Sequence, residues 1–137
     1  MANEYIKPLP RPAPVEVPFW QATKNHELRL QKCLDCGHVW YPPSESCTNC
    51  SSSRYEWSKI SGKGTIWSFG AFYQLYFPSF AQDIPYNVAI VQLEEGPWMI
   101  SNIVGINDRD IRCDMPVEAV FDDVTEEVTL VKFKPMI

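Results

Sequence analysis

Residues that could carry out catalysis are scarce in this sequence. Only two of its 137 residues are histidines, His26 and His38, and neither lies near a plausible nucleophile in the sequence. The sequence also lacks a Gly-x-Ser-x-Gly elbow, a phosphate-binding Gly-Lys-Ser/Thr loop and a Gly-x-Gly-x-x-Gly turn. Its acidic clusters, at 94–95 and 122–127, lie in turn-like segments and are typical of solvated turns. We therefore expect no enzymatic activity from the chain alone.

Long apolar segments are missing as well. No run approaches the roughly 18 apolar residues of a membrane-spanning helix. The first residues, MANEYIKPLPRPAP, contain no apolar core of a secretory signal. These absences favour a cytoplasmic protein that does not bind a membrane. In that reducing compartment, paired cysteines bind metals or carry out redox chemistry more often than they form disulfides.

Basic residues are outnumbered and unevenly distributed. The chain has 12 Lys and Arg against 17 Asp and Glu, for a net charge of −5. Residues 1–63 contain eight basic and six acidic residues, a net of +2, whereas residues 64–137 contain four and eleven, a net of −7. The second half would repel a long polyanion such as nucleic acid. A compact anion could still contact the first half.

The N-terminal part of the chain changes character twice. Residues 1–15 are rich in proline, which blocks a helix and favours an extended arm, either a free tail or a segment that lies along a partner. A short helix is predicted from Val17 to His26. The following LRLQK predicts a strand with one apolar side and one polar side, the polar side carrying Arg29 and Gln31.

From residue 61 onward the sequence predicts β-structure without a helix. About five short strands are separated by turns, among them 94–97 and 124–127. Five strands favour a small closed barrel, of which the OB-fold is the commonest type, over a sandwich of about seven strands. We expect these apolar residues in the barrel core: Ile66, Trp67, Phe69, Val88, Ile90, Val91, Ile100, Ile103 and Val117. The predicted fold class is mainly β, with a short N-terminal helix and a ribbon in residues 16–60, then a five-stranded OB-fold β-barrel in residues 61–137.

Two Cys-x-x-Cys pairs, ten residues apart, give the strongest chemical signal. One Zn²⁺ ion can be surrounded tetrahedrally by four thiolates, and iron is the minor rival. The four ligands are Cys33, Cys36, Cys47 and Cys50. Gly37, and Asn49 in the second pair, can adopt the left-handed backbone conformation that such metal-binding turns need. The spacing therefore predicts a zinc ribbon with a tetrahedral site of four cysteines.

The alternative to a metal site is redox chemistry, as in thioredoxin-like proteins. Such a site needs one Cys-x-x-Cys pair at a strand–helix junction in a βαβ unit, and this chain has two pairs and no βαβ pattern. Four thiolates also close the coordination shell of the metal, which is typical of a structural site. We therefore expect the Zn²⁺ to be structural and the fifth cysteine, Cys113, to be an unpaired bystander.

The segment FYQLYFPSFAQDIPYN, residues 72–87, is unusually apolar for a loop between two strands. It either folds over the end of the barrel as part of the core or is buried against another protein, because aromatic residues are enriched at interface centres. A small protein with an apolar patch and no catalytic groups points to an obligate partner. The candidate interface residues are Phe72, Tyr73, Tyr76, Phe77 and Phe80.

The order of these segments resembles a known family. Its pattern runs through FWQATKNHELRLQKCLDCGHVWYPPSESCTNC, EWSKISGKGTIWSF, YNVAIVQLEEG, PVEAVF and FKP, and covers residues 16–135. The family is the acyl-CoA-associated one that joins a rubredoxin-like zinc ribbon to an OB-fold, long catalogued as a domain of unknown function. The resemblance implies a non-catalytic subunit that scaffolds a thiolase-like enzyme (a thiolase, aldolase or acyltransferase) and helps hold CoA. A benzoylsuccinyl-CoA-type thiolase is one setting that the resemblance suggests.

The charge distribution is consistent with CoA as a ligand at the interface of a hetero-oligomer. CoA phosphates suit the mildly basic first half, and an adenine can stack on an aromatic ring. The candidate CoA-binding residues are Arg29, Lys32, Arg54, Lys59 and Lys63. The alternative function is a nucleic-acid-binding module, since zinc ribbons and OB-folds commonly bind RNA or DNA, but the net charge of −5 and the lack of a basic stripe argue against it.

Overall fold

The described part of the chain starts with an irregular segment and a short helix. The computed structural model describes residues 7–136, so part of the predicted arm, residues 1–6, lies outside the described residues. Residues 7–13 have no regular structure, a 3₁₀ turn covers Pro14–Glu16, and helix α1 covers Val17–Lys24. The helix ends two residues earlier than predicted because His26 adopts a left-handed conformation, with φ of +58°.

The ribbon is a three-stranded antiparallel sheet. Its strands are β1 (Arg29–Cys33), β2 (Val39–Trp40) and β3 (Tyr55–Lys59), in the order β2–β1–β3. Although Gln31 lies on the predicted polar side of the strand, it is only 1% exposed. Its side-chain amide donates to the backbone oxygen of Ser44 at 2.7 Å and accepts from the backbone N–H of Ser44 at 2.9 Å. Gln31 therefore fixes the loop that follows β2.

Five strands follow residue 61, as the sequence predicts. They are β4 (Lys63–Phe72), β5 (Tyr86–Leu93), β6 (Trp98–Ser101), β7 (Pro116–Asp123) and β8 (Thr129–Pro135). Their order in the sheet is β6–β5–β4–β7–β8, and all pairs are antiparallel. Two 3₁₀ helices, Pro78–Asp83 and Asp108–Asp110, lie in the connecting loops. Within residues 61–136 no α-helix is found.

The sheet curls into a half-barrel that is closed by a single bridge. Ile103, just after β6, pairs in parallel with Phe133 on β8. Backbone hydrogen bonds of 2.8–3.0 Å join Phe133 to the residues on either side of Ile103. The side chain of Asn87 on β5 holds Ile103 from within, by accepting from its N–H at 2.6 Å and donating to its oxygen at 2.8 Å.

One apolar core is shared by the helix, the ribbon and the half-barrel. Phe19 of helix α1, Leu28 just before β1 and Leu30 of β1 form a single cluster with the buried face of the half-barrel. The other members of that cluster are Ile60, which follows β3, and these barrel residues: Ile66, Ala89, Val91, Leu93, Met99, Ile103, Ile111, Val117 and Phe133. The ribbon and the barrel are therefore packed against each other by shared side chains.

Five of the expected core residues are not in this core. Trp67, Phe69 and Ile100 are 50%, 39% and 70% exposed, and Val88 and Ile90 are only half-buried. On β5 the alternate residues Ala89, Val91 and Leu93 point inward, so the residues between them point outward. On β4 a shift in register between Ile66 and Ser68, where Trp67 lies, interrupts the alternation. The expectation for these five residues was wrong because their strands are apolar on both faces.

Candidate metal centre and partner surfaces

The four cysteines lie on two facing turns of the ribbon: Cys33, Cys36, Cys47 and Cys50. In the first turn, Gly37 has φ of +79°, the left-handed conformation that the sequence predicts. In the second turn the left-handed residue is Ser51, with φ of +65°, rather than Asn49 as expected. The two turns are equivalent, because in each the chain reverses at the residue after the second cysteine.

The spacing of the four sulfur atoms fits one tetrahedral Zn²⁺ ion. All four Sγ atoms lie within 4.8 Å of one another. The Cys33–Cys50 and Cys36–Cys47 sulfurs are 3.5 and 3.6 Å apart. Zn–S bonds of about 2.3 Å in a tetrahedron place the sulfurs about 3.8 Å apart. Four thiolate ligands leave no open coordination position, so the arrangement suits a structural metal rather than a catalytic one.

Hydrogen bonds from N–H groups prepare the sulfurs for the metal. In each turn, two backbone N–H groups donate to the sulfur of the first cysteine at 3.3–3.4 Å. The side-chain amide of Asn49 donates to Sγ of Cys36 at 3.5 Å. This bond, followed by one from the backbone N–H of His38, lowers the pKa of Cys36 to about 6. The backbone N–H of Cys36 is the largest cause that lowers the pKa of Cys33.

Cys50 differs from Cys33 and Cys36 in the direction of its pKa shift. A backbone N–H from Ser52 lowers the pKa, but the adjacent sulfurs, Cys33 first among them, raise it to about 12. Because the neighbouring sulfurs lie so close, the thiol of Cys50 is hard to ionise in the absence of a cation. A divalent cation at the centre reverses this effect, since it attracts every thiolate. The cluster therefore favours a bound cation over four free thiols.

Two aromatic rings, those of Trp40 and His38, lie beside the cysteine cluster. Trp40 is only 3% exposed and packs against the buried Cys33 and Cys47. The ring of His38 lies nearly parallel to that of Trp40, and its Nε2 is 2.9 Å from Oγ1 of Thr48. His38 therefore connects the two turns and lies outside the ligand set. Cys113 is exposed and also lies outside the cluster.

The five basic candidates for CoA binding lie on the ribbon and at the start of the barrel. Arg29 and Lys59 lie opposite each other across β1 and β3. Two of the five candidates already pair with carboxylates in the ribbon, Arg29 with Glu27 at 2.8 Å and Arg54 with Asp35 at 2.6 Å. The remaining candidates, Lys32 and Lys63, are exposed on β1 and at the start of β4.

The aromatic loop, residues 72–85, runs from the last residue of β4 to the start of β5 and is largely exposed. Tyr73, Tyr76 and Phe77 are 72%, 59% and 56% exposed, and Phe72 and Leu75 are exposed as well. This loop does not form a lid on the chain's own core. Phe80 is the exception among the aromatic candidates, since it is half-buried beside Tyr86 and lies under the ammonium group of Lys7.

A second apolar surface lies on the outer face of β4, β5 and β6. We call it the tryptophan face, and it consists of Trp67, Val88, Ile90, Trp98 and Ile100. The rings of Trp67 and Trp98 stack with their centroids 4.6 Å apart, and both residues remain about half exposed. This surface was not expected, because the sequence pattern placed four of its five residues in the core.

A histidine–carboxylate pair joins the end of helix α1 to the barrel, and no sequence pattern indicated it. Nε2 of His26 is 3.0–3.1 Å from both carboxylate oxygens of Asp123 on β7, and its ring stacks on Phe121. The hydroxyl of Thr129 on β8 donates to the same carboxylate at 2.5 Å. This bond is the largest cause that lowers the pKa of Asp123, and His26 is the next.

The fold and the cysteine site define a zinc-ribbon/OB-fold protein. Two family descriptions match accordingly, the rubredoxin-like zinc ribbon domain of ChsH2 over residues 20–56 and the C-terminal OB-fold domain of ChsH2 over residues 57–122. A "DUF35 domain-containing scaffold protein" of Methanocaldococcus jannaschii is 34% identical over 112 residues, which cover 77% of this chain and 79% of the relative. The chain belongs to this DUF35 family, and the resemblance drawn from its sequence is confirmed.

Further relatives are subunits of acyl-CoA enzymes. A "Probable enoyl-CoA hydratase alpha subunit" of Thermomonospora curvata is 33% identical over 120 residues, which cover 87% of this chain but only 37% of the relative. The chain thus spans little more than a third of that protein. The "Benzoylsuccinyl-CoA thiolase subunit BbsA" of Geobacter metallireducens is 32% identical over 91 residues, which cover 66% of this chain and 59% of the relative.

A solved structure described as "Ltp2-ChsH2(DUF35) aldolase" has the same fold. It superimposes with a TM-score of 0.85 at 29% identity, covering 94% of this chain and all of that chain. The mainly β prediction, with a short helix, a zinc ribbon and an OB-fold, is therefore confirmed. In the part of the chain that the structure describes, no helix has the length and apolarity required to cross a bilayer.

Proposed function

We propose that this chain is a non-catalytic, zinc-binding accessory subunit of a thiolase-like acyl-CoA enzyme. In this role it scaffolds the catalytic subunit and helps bind the CoA moiety at the interface of a hetero-oligomer. The observation that carries the proposal is the aromatic loop, whose large side chains stay exposed in a chain that has an ordered core of its own. Thiolate metal ligands suit a reducing compartment, which is consistent with a cytoplasmic complex.

The relatives support a partner of this class. One is a thiolase subunit, one is part of an aldolase, and one is a hydratase alpha subunit. All three names describe an enzyme with more than one component, and two of them name a CoA thioester, whereas the reaction differs. We therefore assign the reaction to the partner subunit and the scaffold to this chain.

The side-chain chemistry also supports a non-catalytic role. Thiolase chemistry needs a nucleophilic thiol with a histidine base. Both histidines are engaged elsewhere, His26 with Asp123 and His38 with Thr48. Four of the five cysteines form the metal cluster. A thiolase that works without a partner would need a thiol paired with a histidine base among the remaining side chains, and no such pair is found among the described residues.

CoA binding is proposed at the basic residues of the ribbon and the start of the barrel. Lys32, Lys59 and Lys63 are exposed, and each can offer an ammonium group to a phosphate. Arg29 and Arg54 form ion pairs with neighbouring carboxylates and would therefore contribute less to the binding of a phosphate. The acidic second half, with its net charge of −7, is the less suitable side for the phosphates of CoA.

The alternative, a nucleic-acid-binding module, has little support in the structure. OB-folds bind oligonucleotides mainly on the face of their second and third strands, which are β5 and β6 in this chain. The outward residues there are Tyr86, Val88, Ile90, Gln92, Trp98 and Ile100, none of which is basic. Phosphate neutralisation by Lys and Arg is what gives nucleic-acid complexes their affinity.

Co-expression with a thiolase-fold protein from the same genome, chosen by gene neighbourhood, tests the proposal. We expect a stable hetero-oligomer in size-exclusion chromatography with light scattering, and no acyl-CoA turnover by this chain alone. Acyl-CoA turnover by the isolated chain, or salt-sensitive tight binding of an oligonucleotide, would reject the proposal in favour of an enzyme or a nucleic-acid module.

A further inference from the structure

The tryptophan face is one surface because strand pairing aligns its side chains. Residues directly opposite each other in an antiparallel sheet share a face. Trp98 on β6 lies opposite Gln92 on β5, and Ile100 lies opposite Ile90. On the other side of β5, Ile90 lies opposite Ser68 of β4. The aligned residues carry no charged side chain, although this face is open to solvent.

The tryptophan face continues into the aromatic loop. Along β5, the alternate residues Ile90, Val88 and Tyr86 share the outer face. Tyr86 lies opposite Phe72, at the start of the aromatic loop, and their rings stack with centroids 5.6 Å apart. An apolar strip therefore runs without interruption from the stacked tryptophans along β5 to the loop.

The aromatic side chains of the loop alone expose less area than a stable protein interface requires. Aromatic side chains bury roughly 150–250 Å² each. At the observed exposures, Phe72, Tyr73, Tyr76 and Phe77 together offer about 450 Å². A stable interface of standard size needs about 800 Å² from each partner. The half-exposed Trp67 and Trp98 add about 250 Å², which brings the aromatic area alone close to that requirement.

We infer that the tryptophan face and the aromatic loop form one continuous docking surface for the catalytic acyl-CoA subunit, with the stacked Trp67–Trp98 pair as its second anchor. This inference rests on the proposed function, whose interface it extends from the loop to the outer face of β4–β6. An uncharged, apolar strip fits an apolar protein surface, and aromatic anchors at interface centres are typical of stable protein complexes. The strip has no basic side chain that could bind a polyanion. Its exposed area is close to what one partner buries in an interface of standard size.

The test is made on the purified complex with the thiolase-fold subunit, and its variant is Ile100→Glu. Ile100 is 70% exposed, so the change leaves the subunit's own core untouched. A carboxylate buried without a partner is unfavourable, so the affinity measured by calorimetry should fall at least about tenfold. Val17→Glu is the matched control: it places the same charge on an exposed apolar residue of helix α1 and should leave the affinity unchanged.

Tryptophan fluorescence gives a second readout of the same surface. Acrylamide quenching of Trp67 and Trp98, isolated by replacing Trp20, Trp40 and Trp57 with Phe, should decrease when the complex forms. A complex that forms with unchanged affinity in Ile100→Glu and unchanged quenching overturns this inference but keeps the proposed function. A chain that forms a homodimer through this face overturns the choice of partner. No complex with the wild-type chain overturns the proposed function together with this inference.

Discussion

The double variant Tyr76→Ala/Phe77→Ala tests whether the aromatic loop binds the partner. Both residues lie in the part of the loop between β4 and the 3₁₀ helix Pro78–Asp83, and neither contributes to the buried core. The change removes two large aromatic groups without altering charge. Any effect on the complex can therefore be assigned to lost apolar contact.

The expected magnitude follows from the exposure of the two rings. Complete burial of an aromatic side chain stabilises by about 1.5–3 kcal/mol. Because Tyr76 and Phe77 are 59% and 56% exposed in the free chain, binding can still bury somewhat more than half of each side chain. The two residues together should then contribute about 2–3 kcal/mol. A loss of this size weakens the complex by more than about tenfold.

The assay compares the complex with the free subunit. Calorimetric titration of the catalytic subunit with the wild-type and variant chains measures the affinity. Zinc content and thermal unfolding of the free variant are measured in parallel and should be nearly unchanged, since the two rings are outside the core. The reasoning is refuted by the opposite pattern, in which the free subunit becomes much less stable while the complex keeps its affinity.

Three further predictions concern the metal, an ionisable pair and CoA. Elemental analysis should find one zinc per chain. Because metal binding is coupled to folding, Cys33→Ser should unfold the ribbon, whereas Cys113→Ser should have almost no effect. Freshly purified protein that contains neither zinc nor iron would contradict this prediction. Because the pKa of Asp123 is lowered in the folded chain, its carboxylate stabilises the fold fully when the pH is above the ordinary carboxyl pKa. This stabilisation is lost as the pH falls through the lowered pKa of Asp123. Thr129→Val removes the largest cause, so an NMR titration should show the pKa of Asp123 moving up toward its ordinary value, and an unchanged titration refutes the assignment. Lys63→Glu should raise the partner's KM for acyl-CoA with a smaller effect on kcat, because a phosphate contact acts alike on ground and transition states; an unchanged KM argues against a phosphate contact there.

The features that were predicted correctly depend on short stretches of sequence. A Cys-x-x-Cys pair sets its own local turn, so the spacing alone predicted the ligand cluster and the left-handed Gly37. The five barrel strands were also found, because turn residues such as those at 94–97 separate them. The helix start at Val17 followed from the proline next to it.

The features that were missed depend on pairing between distant segments. The stretch GTIWSFGAFY is apolar at successive positions, so its pattern cannot tell which residues face the core, and the irregularity at Trp67 arises only from pairing with β5. Gln31 is buried because its amide meets the backbone of Ser44, 13 residues away. The pair of His26 and Asp123 spans 97 positions and has no local signature.

The most direct test of the central claim is the turnover of the catalytic subunit measured with and without this chain. With the chain present, we expect full acyl-CoA turnover by a stable complex. Without it, the catalytic subunit should lose stability, or its KM for acyl-CoA should rise. A catalytic subunit that reaches the same kcat with an unchanged KM on its own would contradict the accessory role.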